Sequence, residues 1–360
     1  MTARNCHCCD TLFNLAKIDP FTGQYIWRRL LKTPTGGSAQ VAQIEPLHGS
    51  NDLIVCVNHT ASPVVTSELM RVRGASGRVV WRTYVPVVAT FGSSAKTFGV
   101  TSSGQIVTAS LPLVSGQRRS LDGIDPASGA TLWTVTYTSG EQIASVASGA
   151  SSVYVGYLTS LGSPLNTRRK INPATGATIW GAGLWSGIST DDSQDIITCE
   201  DSSGDVLTVH RLSGSPRLAK KMSGATGALL GTASWYGTRA RSGVGGLSSA
   251  SFDQPPYAVA TGGTSLTAIF GLSSTNNSTL VLKLRDTCSG SNGSGGAYYY
   301  YCGATMTSTV TAAQWNIFCV TSTGSFIWGR KWGVISSDGP AACVIGDDGY
   351  LYAGGRNGSI

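Results

Sequence analysis

A ten-residue pattern that recurs along the chain constrains the fold more than any other feature of the sequence. It begins with an aliphatic residue, has Pro or Gly two positions later and Gly five positions later, and ends on Trp. Four copies occupy residues 18–27, 72–81, 124–133 and 171–180, and a shorter fifth copy occupies residues 320–328. Because Pro and Gly interrupt two short apolar runs, each copy predicts a tight hairpin with Gly at a positive φ and Trp on the returning strand.

The spacing of the copies predicts where weaker copies should lie. Trp27, Trp81, Trp133 and Trp180 are 54, 52 and 47 residues apart, which places the next copy near position 230. Residues 222–231 keep the turn there and have Gly231 in place of Trp. The next 97 residues, up to Trp328, span two periods, and residues 270–281 supply the missing copy with Val281 at the Trp position. The array therefore has seven hairpins.

Composition agrees with one repeat array rather than several domains. Only 12% of the 360 residues are charged, 46 are Gly, and no window has a convincing helical period. Between the hairpins, turns precede further short strands, as at 49–56, 103–108 and 149–156. About 50 residues with about four strands is the size of a propeller blade.

The two ends of the chain complement each other. The first hairpin lacks the two strands that precede the other hairpins, and residues 340–353 supply such a pair. Pairing the ends would remove the open edge of a linear array. We therefore predict an all-β fold, a seven-bladed β-propeller over residues 12–360, closed by pairing N- and C-terminal strands in one blade. Residues 1–11 form a Cys-rich tail outside it.

The repeat resembles those of quinoprotein-like propellers, the PQQ-type repeat family. This group includes alcohol dehydrogenases that use pyrroloquinoline quinone and the outer-membrane assembly lipoprotein propeller. The resemblance covers residues 12–354 and implies that each Trp ring docks between blades, against the turn of the next repeat. The expected docking residues are Trp27, Trp81, Trp133, Trp180 and Trp328.

The sequence departs from the enzymes of that family. The resemblance implies that a dehydrogenase holds quinone and calcium with carboxylate and amide side chains, a catalytic Asp and a disulfide between adjacent cysteines. Cys8 and Cys9 are adjacent but precede the first blade, and no matching carboxylate and amide set can be placed. A non-enzymatic member is therefore favoured, with no catalytic or cofactor-binding residues assigned and a PQQ-dependent oxidoreductase as the alternative.

The N-terminal tail contains metal-ligand residue types in Cys6, His7, Cys8 and Cys9. Zinc needs ligands that can close a tetrahedron, which four nearly consecutive side chains cannot do alone. The tail is therefore either part of a zinc site, a contact with another chain or a flexible segment. Among the other cysteines, most are expected to be small buried strand residues, and Cys288 and Cys302 could face each other as a disulfide.

Acidic turns offer oxygen ligands for calcium at residues 191–195, 200–205 and 347–349. None has the full spacing of a calcium loop, and Asp and Gly also occur in turns for backbone reasons. These turns are therefore candidate calcium sites, as the tail is a candidate zinc site.

The net charge of +7 comes from 26 Lys and Arg against 19 Asp and Glu. Basic residues recur six positions before the turn Gly, and others follow the Trp position closely. The first set is Lys17, Arg71, Lys170 and Lys221, and the second is Arg28, Arg29, Arg82, Lys283 and Lys331. Such charges either keep outer edge strands soluble and unpaired, or form a basic rim for an anionic partner such as a polysaccharide.

The sector between Trp235 and Tyr301 departs most from the repeat. It combines a Gly/Ser-rich stretch with aromatic and arginine residues of the kind found at recognition surfaces. The candidate recognition residues are Trp235, Tyr236, Arg239, Arg241, Tyr298, Tyr299, Tyr300 and Tyr301. Core packing and simple drift of these repeats are the structural alternatives.

Three functions remain open at this stage: a scaffold or recognition module, a PQQ-dependent oxidoreductase, and a carbohydrate-binding propeller. The expected partners are other protein subunits or an anionic polymer, and nucleic acid is not favoured. Residues 1–10 lack the apolar core of a secretory signal, and no stretch approaches 18 apolar residues. The Ser/Thr/Gly-rich, Lys-poor composition favours a phage-like particle or extracellular assembly, with the cytoplasm as the alternative.

Overall fold

The computed structural model describes most of the chain as strands and turns, with no helix in the described residues. The described residues are 12–32, 38–61, 64–85, 97–110, 119–137, 141–159, 165–185, 197–200, 204–210, 217–235, 258–260, 266–268, 280–281, 286–291, 297–307, 314–321, 326–330, 332 and 339–356. The prediction of an all-β chain is confirmed over these ranges.

The strands pair into antiparallel sheets, which we name A to G. Sheet A contains β1 (Leu12–Ile18), β2 (Tyr25–Lys32), β26 (Gly339–Ile345) and β27 (Leu351–Arg356). Sheet B contains β3 (Ser38–Leu47), β4 (Asp52–Ala61), β5 (Val64–Val72) and β6 (Val79–Val85). Sheet C contains β7 (Phe98–Val100), β8 (Ile106–Ser110), β9 (Arg119–Ile124) and β10 (Thr131–Tyr137). Sheet D contains β11 (Glu141–Ser148), β12 (Val153–Thr159), β13 (Leu165–Ile171) and β14 (Thr178–Trp185).

The later part of the chain contains sheets E, F and G. Sheet E contains β15 (Ile197–Glu200), β16 (Val206–His210), β17 (Arg217–Met222) and β18 (Leu229–Trp235). Sheet F contains β19 (Ala258–Ala260) and β20 (Leu266–Ala268). Sheet G contains β21 (Leu280–Val281), β22 (Asp286–Ser291), β23 (Ala297–Thr307), β24 (Gln314–Thr321) and β25 (Phe326–Arg330).

Successive sheets meet through their first strands. β26 contacts β3, and contacts between first strands continue through β7, β11, β15 and β19. The last strand of each four-stranded sheet, which carries the Trp position, lies at the opposite edge. Each of these sheets therefore has an inner strand against its neighbours and an outer strand at the edge of the sheet.

The repeated turn has a local explanation in its first residues. In the first copy, the Asp19 carboxylate accepts hydrogen bonds from the amides of Phe21 and Thr22, both at 2.9 Å. The Gly23 amide donates to the Asp19 carbonyl at 2.8 Å, and Gly23 has a φ of 68°. A left-handed residue at this point closes the turn, which is why Gly is required there.

A β-bulge follows each of these turns on the outer strand. In β2, Trp27 pairs with Lys17 and Tyr25 pairs with Ile18, so Ile26 is the extra residue between them. The same shift in register occurs in the hairpins that end with β6, β10, β14, β18 and β25. Bulges twist an edge strand away from regular pairing, which protects the outer edge of each sheet from unwanted partners.

The two ends of the chain meet in sheet A. β1 pairs antiparallel with β27, from Phe13 opposite Arg356 to Ile18 opposite Leu351. The order β2–β1–β27–β26 repeats the arrangement of the other four-stranded sheets, with the C-terminal pair in place of the two missing strands.

Apolar side chains fill the spaces between sheets. One cluster joins Phe13 and Leu15 of sheet A to Val55 and Val57 of sheet B. Another joins Ile18 of sheet A to Trp328 of sheet G and encloses Trp332, which is 1% exposed. The core is thus divided into layers, each shared by two neighbouring sheets.

Some expectations for the irregular part need revision or lie outside the described residues. The predicted hairpin at 270–281 is described only at Leu280 and Val281, which form β21 and pair with β23 of sheet G. Cys288 lies opposite Tyr300 and Cys302 opposite Asp286, so the two cysteines are not cross-strand partners. Part of the Gly/Ser-rich stretch that follows Cys288 continues strand β22 rather than forming a loop, because it pairs with β23.

Candidate functional site

The contacts between sheets repeat as regularly as the turns. In each case an indole N–H donates to a backbone carbonyl in the turn of the next sheet. The pairs are Trp27 to Gly74 (2.9 Å), Trp81 to Pro126 (2.9 Å), Trp133 to Pro173 (3.1 Å), Trp180 to Gly224 (3.0 Å) and Trp328 to Pro20 (2.9 Å). The last pair connects sheet G to sheet A, so the contact continues across the ends of the chain.

The turn Gly lies directly beneath the indole ring of the preceding sheet. A Cβ atom built on Gly129 would lie 2.6 Å from the Trp81 ring, and one on Gly227 would lie 2.7 Å from the Trp180 ring. Gly23, Gly77 and Gly176 lie against a Trp ring in the same way. The Gly is therefore required twice, once by its positive φ and once by the close approach of the ring.

The basic residue six positions before the turn Gly takes part in the same contact. Arg71 donates through Nη1 to the Pro126 carbonyl at 2.9 Å, which also accepts from Trp81. Lys170 donates to the Gly224 carbonyl at 2.6 Å, the acceptor of Trp180. Each carbonyl thus receives two donors from the preceding sheet.

This placement corrects both interpretations of that basic position. Arg71, Lys170 and Lys17 lie on the strand that pairs with the outer strand of their sheets, not on outer edge strands, and Lys17 is only 7% exposed. A side chain at this position faces the next sheet beside the Trp. Its charged group therefore stabilises the contact between the two sheets. Among the cations whose side chains are described, only those that follow the Trp can therefore belong to a basic rim.

The joint between the C-terminal hairpin and the first strand contains a buried charge pair. Lys17 Nζ donates to Asp348 Oδ2 at 2.7 Å, and Tyr352 Oη donates to the same carboxylate at 2.7 Å. Burial opposes ionisation of Asp348, but hydrogen bonds from Lys17, Tyr352 and the Tyr350 amide lower its pKa below the ordinary value. Burial and the neighbouring Asp348 carboxylate raise the pKa of Tyr352.

Asp348→Asn should lower the free energy of unfolding at pH 7 by about 1.5–3 kcal/mol, the range for hydrogen bonds to a charged group. A lowered folded-state pKa means that this stabilisation is present above the pKa of the unfolded chain, about 3.9. It is lost as the pH falls through the folded-state pKa. Urea unfolding of both proteins at several pH values should show the difference shrinking below about pH 4.

Lys17→Met is the matched control for that prediction. If Lys17 is the main partner, Asp348→Asn should cost less in the Lys17→Met background than in the original chain. A difference between Asp348 and Asn that stays constant from pH 7 to pH 3 would contradict the assignment.

A second polar contact joins the turn faces of sheets A and B. His48 Nδ1 lies 2.7 Å from Asp347 Oδ1, and the Gly49 amide donates to Asp347 Oδ2 at 2.9 Å. Both oxygens of Asp347 therefore have protein partners. This contact and the Lys17–Asp348 pair hold the C-terminal turn from two sides.

A buried carboxylate marks the joint between sheets A and B farther from the turns. Glu68 is fully buried, with Oε2 at 3.3 Å from His59 Nε2 and Oε1 at 3.3 Å from Arg82 Nη1. The same Arg82 nitrogen donates to the Lys32 carbonyl at 3.0 Å, which ties outer strand β6 to outer strand β2. The sequence did not single out Glu68, because nothing in its local pattern separates it from an ordinary strand residue.

The outer strands expose large apolar side chains at one repeat position. The residue just before the Trp position, which is the bulge residue, is 41–64% exposed in five sheets. These residues are Ile26, Val80, Leu132, Ile179 and Leu230. The outer edges of the sheets therefore present a recurring apolar surface.

The family model described as outer membrane protein assembly factor BamB matches residues 13–196, slightly more than half of the chain. This chain belongs to that family. The resemblance seen in the repeats is thereby confirmed, and the β-propeller architecture of the BamB family is its fold.

Solved structures resemble this BamB-family chain at low sequence identity. BamB from Moraxella catarrhalis is 12% identical, with a TM-score of 0.39 and coverage of 94% of this chain and 91% of that one. A quinohemoprotein alcohol dehydrogenase from Comamonas testosteroni is 11% identical, with a TM-score of 0.32 and coverage of 53% and 36%. The quinohemoprotein alcohol dehydrogenase ADHIIG from Pseudomonas putida HK5 is 13% identical, with a TM-score of 0.33 and coverage of 71% and 43%. No curated protein matches the chain.

The described carboxylates in the turns of sheets A and B are engaged by protein groups. Asp347 and Asp348 direct their oxygens to protein donors, and Asp52 binds Arg71 at 2.8 Å. In the ranges described, no three His, Cys, Asp or Glu side chains group as metal ligands. Burial raises the pKa of the Cys56 thiol to about 11, which keeps it protonated at neutral pH.

Several residues proposed from the sequence lie outside what the structure describes. These are Cys6, His7, Cys8 and Cys9 of the tail, Tyr236, Arg239 and Arg241 of the recognition sector, Lys283 and Lys331 of the basic set, and the acidic turn 191–195. Trp235 ends β18, and Tyr298, Tyr299, Tyr300 and Tyr301 lie in β23. The zinc tail and the recognition sector thus stay predictions.

Across the described ranges, no helix has the length and hydropathy needed to cross a membrane.

Proposed function

We propose that this chain is a closed, seven-bladed propeller that acts as a non-enzymatic scaffold for protein interactions. The observation that carries the proposal is the row of exposed apolar residues on the outer strands. Five consecutive sheets expose Ile, Val or Leu at the same repeat position. Apolar side chains left in water add little to folding but stabilise a complex when a partner covers them.

The contacts between sheets support a rigid frame for such a surface. The Trp contact continues from sheet G to sheet A through Trp328 and Pro20, and β1 pairs with β27. Closure by these contacts would leave each blade fixed relative to its neighbours. A preorganised surface loses less conformational entropy on binding, which favours a scaffold role.

The family supports the same conclusion. The matching family is described as an outer membrane protein assembly factor, a name that implies work on other proteins. We propose protein subunits as the partners of this chain, in a particle-associated or extracellular assembly. The low charge and high Gly content of the chain support that setting.

The test is site-specific photo-crosslinking of the full chain. A benzophenone amino acid placed at position 132 or 179 should crosslink to a defined protein that also co-purifies with the chain in fixed proportion. Leu132 and Ile179 are 64% and 53% exposed, whereas Val155 is fully buried and serves as the control position. Crosslinking that is equal at position 155, or absent at both exposed positions, would overturn the scaffold proposal.

A cofactor titration distinguishes a non-enzymatic scaffold from a PQQ-dependent oxidoreductase. The purified chain should give the same absorption spectrum before and after incubation with pyrroloquinoline quinone and calcium, followed by desalting. Retention of the quinone's visible absorption in equimolar amount would favour the enzyme instead.

A further inference from the structure

The outer strands differ in charge along the chain. β2, β6 and β25 each contain Arg or Lys, whereas β10, β14 and β18 contain no charged residue. The three most exposed of the five bulge residues, Leu132, Ile179 and Leu230, also lie on the uncharged strands. Charged side chains on an edge strand hinder its pairing with another strand. The outer edges of sheets C, D and E therefore lack the protection that charge gives to those of sheets A, B and G.

Of the three uncharged strands, β10 is the one best formed for pairing. Its sequence, TLWTVTY, is rich in β-branched and aromatic residues and contains no Gly, whereas β14 and β18 both contain Gly. Its bulge lies at Leu132, and residues 133–137 then pair one to one with residues 119–123 of β9. Within the part of the chain that the structure describes, β10 pairs with β9 alone and forms the edge of sheet C. The bulge thus protects only the turn end of this edge.

The ladder between β9 and β10 shows which backbone groups of β10 point outward. The Asp125 amide donates to the Ala130 carbonyl at 2.8 Å, so these two residues form a hydrogen-bonded pair at the turn. Hydrogen-bonded and non-hydrogen-bonded pairs alternate, and the bulge places two residues, the second of them Trp133, opposite Gly123. Trp133 is therefore bonded to Gly123, and the next residue, Thr134, directs its N–H and C=O away from β9.

The side chains along this edge define what an added strand needs. Thr134 and Thr136 are exposed on one face, and the Thr134 hydroxyl donates to the Asp122 carboxylate at 2.7 Å. Trp133 and Val135 are half-buried on the opposite face, where they pack against the core shared with sheet D. An added strand would place small polar residues beside the two threonines and aliphatic residues beside Trp133 and Val135.

We propose that β10 accepts an extended, uncharged segment of a partner protein as a fifth strand of the four-stranded sheet C. The segment alternates small polar with aliphatic residues and pairs with the outward N–H and C=O groups of Thr134 and Thr136. This proposal rests on the scaffold function and names the kind of segment that the partner supplies. In strand addition, main-chain hydrogen bonds provide the affinity and alternating side chains provide the specificity.

An extended strand fits this edge better than other classes of partner. Backbone donors and acceptors that alternate along an edge match another extended backbone residue by residue. A nucleic acid or an anionic polysaccharide needs cations, and β10 has none. A helix satisfies its own backbone groups and would not pair with those of Thr134 and Thr136.

The test uses selection from a random 12-residue peptide library displayed on phage, with the full chain as bait. Selected peptides are synthesised, and their affinity is measured by fluorescence anisotropy. Each amide of the peptide that binds most tightly is then N-methylated in turn. An added strand directs every second amide toward β10, so N-methylation should weaken binding at alternate residues only. This measurement uses the unaltered chain and does not depend on the folding of any variant.

Three variants of the chain separate the backbone of β10 from its side chains. Thr134→Pro removes the outward N–H and places a ring against the added strand, a change that an edge strand tolerates. Gly181→Pro makes the same change one residue after Trp180 in β14 and is the matched control. Thr134→Val keeps the N–H and the β-branched shape but removes the hydroxyl group. The urea midpoint of each variant shows whether it is folded.

The proposal predicts selected peptides with few charges and alternating aliphatic residues. Their affinity should fall by about tenfold or more in Thr134→Pro, because one or two hydrogen bonds are lost. It should stay within about twofold in Gly181→Pro and Thr134→Val, which leave the β10 backbone unchanged. It should also change little between about 50 and 300 mM salt, because the contact contains no ion pair.

Four results would overturn the proposal. The first three are selection of no peptide or of charged peptides, N-methylation effects without a period of two, and unchanged affinity in folded Thr134→Pro. The fourth is self-association of the chain that is lost in Thr134→Pro, measured by sedimentation equilibrium, which would place a second copy on the edge instead. If the protein found by photo-crosslinking still binds Thr134→Pro, the scaffold function stands and the β10 edge is not its site.

Discussion

Trp180→Ala should lower the free energy of unfolding by about 3–5 kcal/mol, the range measured when a buried Trp or Phe is truncated. Trp180 is 9% exposed, packs with Tyr154, Val206 and Met222, and donates to Gly224. Alanine leaves a cavity between sheets D and E and removes one donor from that carbonyl. The change is measured by urea unfolding, followed by Trp fluorescence and circular dichroism.

The other tryptophans provide a graded comparison for this result. Trp133 makes the same contact with Pro173 but is only half-buried, so Trp133→Ala should cost less than Trp180→Ala. Leu132→Ala, at a residue 64% exposed, should change stability by no more than about 0.5 kcal/mol. Negligible effects of both Trp changes would show that the rings are not packed as described.

Gly129→Ala should lower the free energy of unfolding by about 2–5 kcal/mol, the sum of two separate costs. A non-Gly residue in the left-handed region costs about 1–2 kcal/mol, and forcing an extra carbon into a packed site costs about 1–3 kcal/mol. Gly129 has a φ of 76°, and its added Cβ would lie 2.6 Å from the Trp81 ring. The ring would have to move from its place in the joint between sheets B and C.

Gly49→Ala is the matched control, because it shares the first cost without the second. Gly49 has a φ of 80°, and no atom lies within 4 Å of its added Cβ. Its replacement should cost only about 1–2 kcal/mol in the same urea experiment. An equal decrease in the free energy of unfolding for the two variants would mean that the Trp81 ring moves aside at no cost in free energy. The close approach of Gly129 to that ring would then not stabilise the joint.

The shared contact between Trp and the turn explains why the repeat is so regular. A hairpin turn, its Gly and the Trp of the preceding repeat form one contact, so a change in any member weakens the same joint. Gly231 stands where Trp would occur in sheet E.

The sequence by itself determined the hairpins, their glycines and the β-strand character of the chain. These features depend on short-range chemistry: Asp19 binds amides two and three residues away, and Gly23 closes the same turn. The pairing of the two ends also followed from the sequence, because an incomplete first repeat and a spare C-terminal strand pair can be counted. The cations after Trp27 and Trp81 were visible for the same reason.

Only the tertiary structure decided which side chains serve the fold and which are exposed for other uses. Lys17 and Arg71 looked like surface charges in the sequence, but each lies on the strand that pairs with the outer strand, opposite a Trp that contacts the next sheet. Glu68 looked like an ordinary polar strand residue, yet it is fully buried beneath Arg82. A side chain's surroundings depend on strand parity, on the bulge before each Trp and on the neighbouring sheet. The neighbouring sheet belongs to another repeat, so the contacts it makes cannot be seen within a single repeat.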